Sequence, residues 1–209
     1  MMFASFKKKR NQRALKEKQY EKLFEPYCGT ELVVLDTETT GLDPKKDEIL
    51  SIGAVIIRDN KILMNQSFEC FIKPSASISQ ESIKIHHIRE CDLAHAIEAE
   101  DAIRQFLDFI KNRPIVGYYI DFDHKILSKY TKRIIGSTLP HPTIELSSMY
   151  YKRYRKSSSY EFVDLKFDTI MNALELPFLG KHDALNDAIM SAMMYLKLQT
   201  MPEYKGAFS

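Results

Sequence analysis

The chain contains no tryptophan, only three cysteines, and only 7 glycines and 8 prolines among its 209 residues. Those counts, with 44% hydrophobic and 28% charged residues, exclude a disordered, collagenous or low-complexity chain. Cys28, Cys70 and Cys91 are odd in number and form no CxxC pair, so they suggest neither a disulfide framework nor a zinc site. A reducing cytoplasm is therefore expected. No apolar run approaches the ~20 residues that span a bilayer, and no membrane association is expected. At the start, apolar MMFASF precedes KKKR, the reverse of a secretory signal. No internal repeat is visible. What remains suits one medium domain, large enough to bury roughly 70% of its unfolded surface.

Charge is spread unevenly along the chain. The whole carries +2, but residues 1–25 hold eight bases and three acids, which leaves residues 26–209 at −3. The division expected is a basic, helix-permissive N-terminal arm over residues 1–28, one domain over 29–199 and a short tail over 200–209. Such an arm suits nucleic acid or an acidic partner, and equally a solvated tail.

Apolar periodicity supplies the elements. Glu31–Leu35, Ile49–Ile57 and Ile62–Ile72 read as strands, with Asp59-Asn60 as a hairpin turn. Helical spacing follows over Gln80–His87 and Ala94–Lys111. Then come a strand at Pro114–Tyr118, a helix from Asp121 to Arg133, and a short strand at Thr143–Leu146. Tyr160–Leu174 and Ala184–Leu198 read as helices, the last with methionines that suit core packing. A meander followed by alternating units predicts an α/β domain, a mixed sheet with helices on both faces.

Three acidic stretches fall where such a sheet exposes them together. Asp36-Thr37-Glu38-Thr39-Thr40-Gly41 follows the first strand, and alternation lets Asp36 and Glu38 reach one ion, while Gly41 allows a close turn. Read alone, this is as well explained by a strand end with solvated acids. Asp121-Phe122-Asp123 opens a helix, where dipole stabilisation is the simpler account. His182-Asp183-Ala184-Leu185-Asn186-Asp187 opens the last helix, with Asp187 beside an apolar face. Carboxylates suit Mg²⁺ or Mn²⁺, and two such ions can grip a phosphodiester. A histidine of ordinary pKa near 6.5 can take a proton from water.

Taken in order, these stretches resemble the three motifs of the DnaQ-like 3′–5′ exonucleases, in their histidine-containing (DEDDh) form. Asp36-Thr37-Glu38-Thr39-Thr40-Gly41-Leu42 is similar to the first, Ile115 to Asp123 to the second and His182 to Ala188 to the third. The resemblance covers about Leu32 to Leu198 and is nearest to the epsilon proofreading subunit of bacterial replicative polymerase and its free-standing homologues. It implies a ribonuclease H-like fold with a five-stranded sheet and two divalent ions, Mg²⁺ or Mn²⁺. It implies metal binding by Asp36, Glu38, Asp123 and Asp187, and His182 as general base. Thr39, Gly41 and Leu42 would border the terminal nucleotide. Ile85-His86-His87-Ile88 is similar to a His-Gly-Ile stretch of that group, which makes His86 a further substrate contact. Tyr118-Tyr119 departs from the His-Asn common among relatives, and no phenol near its ordinary pKa of about 10 replaces a histidine as proton carrier near pH 7.

The expected activity is metal-dependent 3′–5′ hydrolysis of nucleic acid, DNA favoured, releasing nucleoside 5′-monophosphates. A 3′–5′ exoribonuclease of the tRNA-trimming or oligonucleotide-degrading kind is the alternative, and an inactive polymerase-associated scaffold is the alternative of another class. Tyr150 to Lys156 interleaves bases with aromatics, and Tyr160 follows, which suits single strands or a solvated loop. Lys125, Lys129, Lys132 and Arg133 read as ordinary helix surface. A DNA polymerase or other replication partner is possible for the family. The 11 residues after Leu198, with Pro202 and Gly206, favour a free-standing nuclease over an obligate subunit.

Overall fold

Side chains of β1 (Leu32–Thr39) alternate between two apolar clusters, and that alternation divides the molecule into layers. The computed structural model describes residues 9–76, 78, 83, 88–154, 162–180 and 182–202. Val33 and Leu35 pack on one side with α1 (Ala99–Ile110) and α2 (Asp121–Ile135), where Phe106 and Ile126 are wholly buried. Val34 packs on the other with α3 (Leu146–Tyr154), α4 (Phe167–Ala173) and α5 (Ala184–Thr200). Met190 and Met194 fill that second layer. Helices therefore cover both faces, as expected.

The sheet has five strands in the order β3-β2-β1-β4-β5. β2 (Ile49–Arg58) pairs antiparallel with both β1 and β3 (Lys61–Phe71), while β4 (Ile115–Gly117) is parallel to β1 and β5 (Thr143–Glu145) parallel to β4. Asp59 and Asn60 both take positive φ, 51° and 58°, the geometry of a two-residue hairpin that matches strand twist. β1, β4 and β5 thus end at one edge of the sheet, where ligands of α/β folds bind.

Three elements differ from the sequence reading. α1 begins at Ala99, not Ala94, because Ile97 bridges Ile72 in parallel, with Ile97 N–H donating to Phe71 O at 3.0 Å. The helix read over Tyr160–Leu174 is helical only at Phe167–Ala173, and residues 160 and 161 lie outside the described residues. The Asp164 carboxylate accepts from Lys166 N–H at 3.1 Å and Thr169 Oγ1 at 2.8 Å, an arrangement that competes with a helical start. α3 replaces the loop that the polar composition after β5 indicates. The helix read over Gln80–His87 falls almost wholly outside the described residues, as does His86.

Residues 9–25 lie on the first apolar layer. A 3₁₀ segment, Lys18–Phe24, buries Tyr20, Leu23 and Phe24 in the cluster that also holds α1 and α2. Arg104 of α1 pairs with Glu17 at 2.7 Å, and Lys16 N–H donates to Ile135 O at 2.9 Å. Gly136, at φ 83°, has no room for a side chain because a Cβ would stand 2.2 Å from Ala14 O. The segment is thus seated by apolar burial, whatever its net charge.

Candidate active site

Alternation along β1 places Asp36 and Glu38 on the same face as Val34, towards α5, and Thr37 on the opposite face, towards α2. Asp123 lies in the first turn of α2 and is buried. Its Oδ1 accepts a hydrogen bond from Thr37 Oγ1 at 2.6 Å, which ties α2 to β1. Asp187 lies in the first turn of α5, capped by Asp183, whose side chain accepts from Asn186 N–H at 2.9 Å. His182 precedes that helix, is exposed and takes φ 58°. Glu38, His182 and Asp187 offer ligand atoms that all lie within 4.8 Å of one another.

Electrostatics joins Asp36 and Asp123 to that group. Burial pushes the Asp36 carboxyl well above the usual carboxylate range, and the charges of Asp123, Asp187 and Glu38 push it further. Glu38 is raised to about 8, first by burial and then by Asp187, Asp123 and Asp183. Asp123 is raised to about 7 because burial outweighs the hydrogen bond from Thr37. Ionisation of Asp36, Glu38 and Asp123 is disfavoured by desolvation and by neighbouring charges, a state that a cation among them relieves. The donor set of carboxylate oxygens with one imidazole fits a hard divalent ion.

A cavity of about 430 Å³ is lined by Asp36, Glu38, Thr39, Leu42, Tyr119 and Asp123, among others. Leu42 is 88% exposed on its rim. The Thr39 hydroxyl donates to Gly41 O at 2.7 Å, so it holds its own loop. Gly41 also borders the cavity, yet the close approach that requires it is internal: a Cβ would stand 2.7 Å from the Asp47 carboxylate. Asp121 is exposed and borders a neighbouring groove, apart from Asp123.

Within the basic-aromatic stretch, Tyr150, Arg153 and Tyr154 are engaged in packing and bonding, while Tyr151 and Lys152 are exposed. Tyr150 is buried and stacks on Tyr154 at 4.1 Å, and Arg153 Nε donates to Leu198 O at 2.5 Å, fastening α3 to α5. Arg155, Lys156 and Tyr160 lie outside the described residues. Three residues that the sequence reading passed over shape the site. Thr37 holds Asp123, Gly53 pairs with Asp36 across β1 and β2, and Glu145 binds the turn before α2. Only Gly53 carried a signal, as a glycine inside a β-branched run.

Residues 33–195 match a family model described as exonuclease. The chain is 35% identical over 182 residues to a PolC-type DNA polymerase III of Thermotoga petrophila, covering 87% of this chain and 12% of that protein. It is 27% identical over 170 residues to the DNA polymerase III epsilon subunit of Aquifex aeolicus, covering 79% of each. It thus spans about an eighth of the length of the PolC-type relative. The fold is similar to the zinc-bound form of an Escherichia coli exonuclease I–single-stranded DNA complex. That match has a TM-score of 0.70 and 14% identity, over 82% of this chain and 41% of the other. Among the described residues, no helix is long and apolar enough to cross a membrane.

Proposed function

The chain belongs to the exonuclease family, and from that premise we propose that it is a metal-dependent 3′–5′ exonuclease. Its substrate is a nucleic-acid 3′ end, with single-stranded DNA favoured, and its product a nucleoside 5′-monophosphate. The observation that carries this reading is the convergence of Asp36, Glu38, Asp123, Asp187 and His182, from β1, α2 and the start of α5, beside one open cavity. Asp36, Glu38, Asp123 and Asp187 hold two divalent ions, Mg²⁺ or Mn²⁺. Ions so held supply Lewis acidity and positive charge for attack on a phosphodiester.

The remaining roles belong to the chain itself. His182, exposed beside Glu38 and Asp187, takes the proton of the attacking water. Thr37 keeps Asp123 in place by its hydrogen bond. Leu42, on the rim, packs against the terminal nucleotide, with Thr39 and Gly41 shaping the loop that presents it. His86 is kept as a further substrate contact on the motif alone. The exonuclease motifs and their fold occupy residues 29–199, with residues 9–25 packed on that core and 200–209 after it. The epsilon-type relative suggests a replication context. Exposed free thiols at Cys28 and Cys91 suit the cytoplasm.

The test is digestion of matched 5′-labelled DNA and RNA with Mg²⁺, Mn²⁺ or EDTA. A ladder shortening from the 3′ end, faster on DNA and absent in EDTA, is expected. Faster digestion of RNA would move the substrate to the exoribonuclease reading. No digestion of either polymer would leave a scaffold.

A further inference from the structure

Tyr119 borders two cavities at once. It lines the active-site cavity of about 430 Å³ and also an adjoining groove of about 550 Å³, together with Lys125, Ser147 and Ser148. The side chain is 54% exposed, although it is a large aromatic. One side of its ring is backed by Tyr118, with centroids 4.3 Å apart. Tyr118 is fixed in turn, because its hydroxyl donates to Leu165 O at 2.8 Å and its ring meets Phe167 edge-on at 5.1 Å.

The backbone under Tyr119 is held against its preference. Its φ is 51°, a region that bulky L residues rarely occupy. Glu145, at the end of β5, accepts from Tyr119 N–H at 2.9 Å and Ile120 N–H at 2.8 Å. The same carboxylate accepts from Ser147 N–H at 3.0 Å and Ser147 Oγ at 2.9 Å. A carboxylate engaged by four donors therefore fixes an unfavourable turn that ends in an exposed, backed aromatic ring. Such strain persists only where surrounding structure enforces it, and here its product is a flat apolar face between two openings.

We propose that Tyr119 is the stacking platform for the base next to the 3′-terminal one. The strand then leaves the active-site cavity across this ring into the groove beside Lys125. This rests on the exonuclease reading and specifies its substrate as an unpaired end of at least two nucleotides. Stacking supplies the attraction, since Asp121 offsets Lys125 in the groove and the Glu145 oxygens are engaged. Paired ends bind poorly because a stacked duplex does not present that base to the ring.

The test replaces Tyr119 with Gly, which suits a positive φ and so spares the fold, and with Trp. Two readouts are compared: the Kd for a fluorescent tetrathymidylate in Ca²⁺, and the KM for that oligonucleotide against the KM for a p-nitrophenyl ester of thymidine 5′-monophosphate. Y119G should weaken tetranucleotide binding by about ten- to a hundred-fold. Its effect on KM for the one-nucleotide ester should be smaller by about fivefold or more, Y119W should restore binding, and the salt slope should match that of the unaltered chain. Equal losses on the two substrates, or an unchanged tetranucleotide Kd, would overturn the platform. Failure of the unaltered chain to cleave either substrate would count against the exonuclease reading. The binding comparison needs no turnover and decides the platform separately.

Discussion

Gly53 lies directly beneath Ala184: a Cβ on Gly53 would stand 2.1 Å from the Ala184 carbonyl carbon and 2.2 Å from Leu185 N. Gly53 is also the cross-strand partner of Asp36. The missing side chain is what allows the first turn of α5, and with it Asp187, to come down beside Asp36 and Glu38. Gly53→Val should lift that turn, lowering stability by about 1–3 kcal/mol through overpacking and turnover by roughly 10²-fold through misplacement of Asp187. Thermal unfolding and single-turnover rates measure the two effects. Wild-type turnover in a folded Gly53→Val protein would mean that α5 positions Asp187 without this contact.

Metal-free protein should lose stability as pH rises from about 5 to 8. Asp123 moves from an ordinary 3.8 to about 7 and Glu38 from 4.5 to about 8 on folding. Between those limits the folded chain binds more protons than the unfolded one, so stability falls with increasing pH. Saturating Mg²⁺ should flatten or reverse the slope, because the carboxylates are then favoured ionised. Melting temperatures at pH 6 and pH 8, in EDTA and in Mg²⁺, decide this. A melting temperature in EDTA that rises across that range would contradict it.

Asp36→Asn should abolish hydrolysis and yet raise the metal-free melting temperature at pH 8. The change removes a charge repelled by Asp123, Asp187 and Glu38 at a buried position. Each 1 kcal/mol recovered appears as about 2–4 °C in a chain of this size. Detectable cleavage by the variant, or a lower melting point, would count against a metal-binding role.

His182→Ala should lower turnover by roughly 10²–10⁴-fold while leaving the Kd for single strands near its original value. Its ring nitrogen lies within 4.8 Å of ligand atoms of Glu38 and Asp187, where a proton acceptor is useful. Collapse of binding with intact turnover would assign the base elsewhere.

A chain beginning at Tyr27 should be markedly destabilised. It lacks Tyr20, Leu23 and Phe24, each under 8% exposed, and Glu17, one of the two ion-pair partners of Arg104. Burial of such side chains contributes roughly 1.5–3 kcal/mol apiece. An unchanged denaturation midpoint would return these residues to the role of a dispensable arm.

Much of the site was legible because its signals are local. Period-2 alternation puts Asp36 and Glu38 on one side of β1, and a helix start places Asp187 near its cap. The strand order was less accessible, since β4 and β5 contribute only three residues each and parallel pairing joins segments far apart in the chain. α3 escaped notice because Tyr150 and Arg153 are polar by composition but are spent on packing and on Leu198 O.

The amino-acid order by itself determined the α/β class, the two-faced sheet and the carboxylates with one histidine, because periodicity and motif spacing act within a few residues. Only the tertiary structure decided which chemically similar groups share a point in space. It assigned Thr37 to Asp123 and spent the Thr39 hydroxyl on its own loop. It seated residues 9–25 on the core against the expectation drawn from their charge, because burial of three apolar side chains there outweighs solvation of a net charge that can remain at the surface.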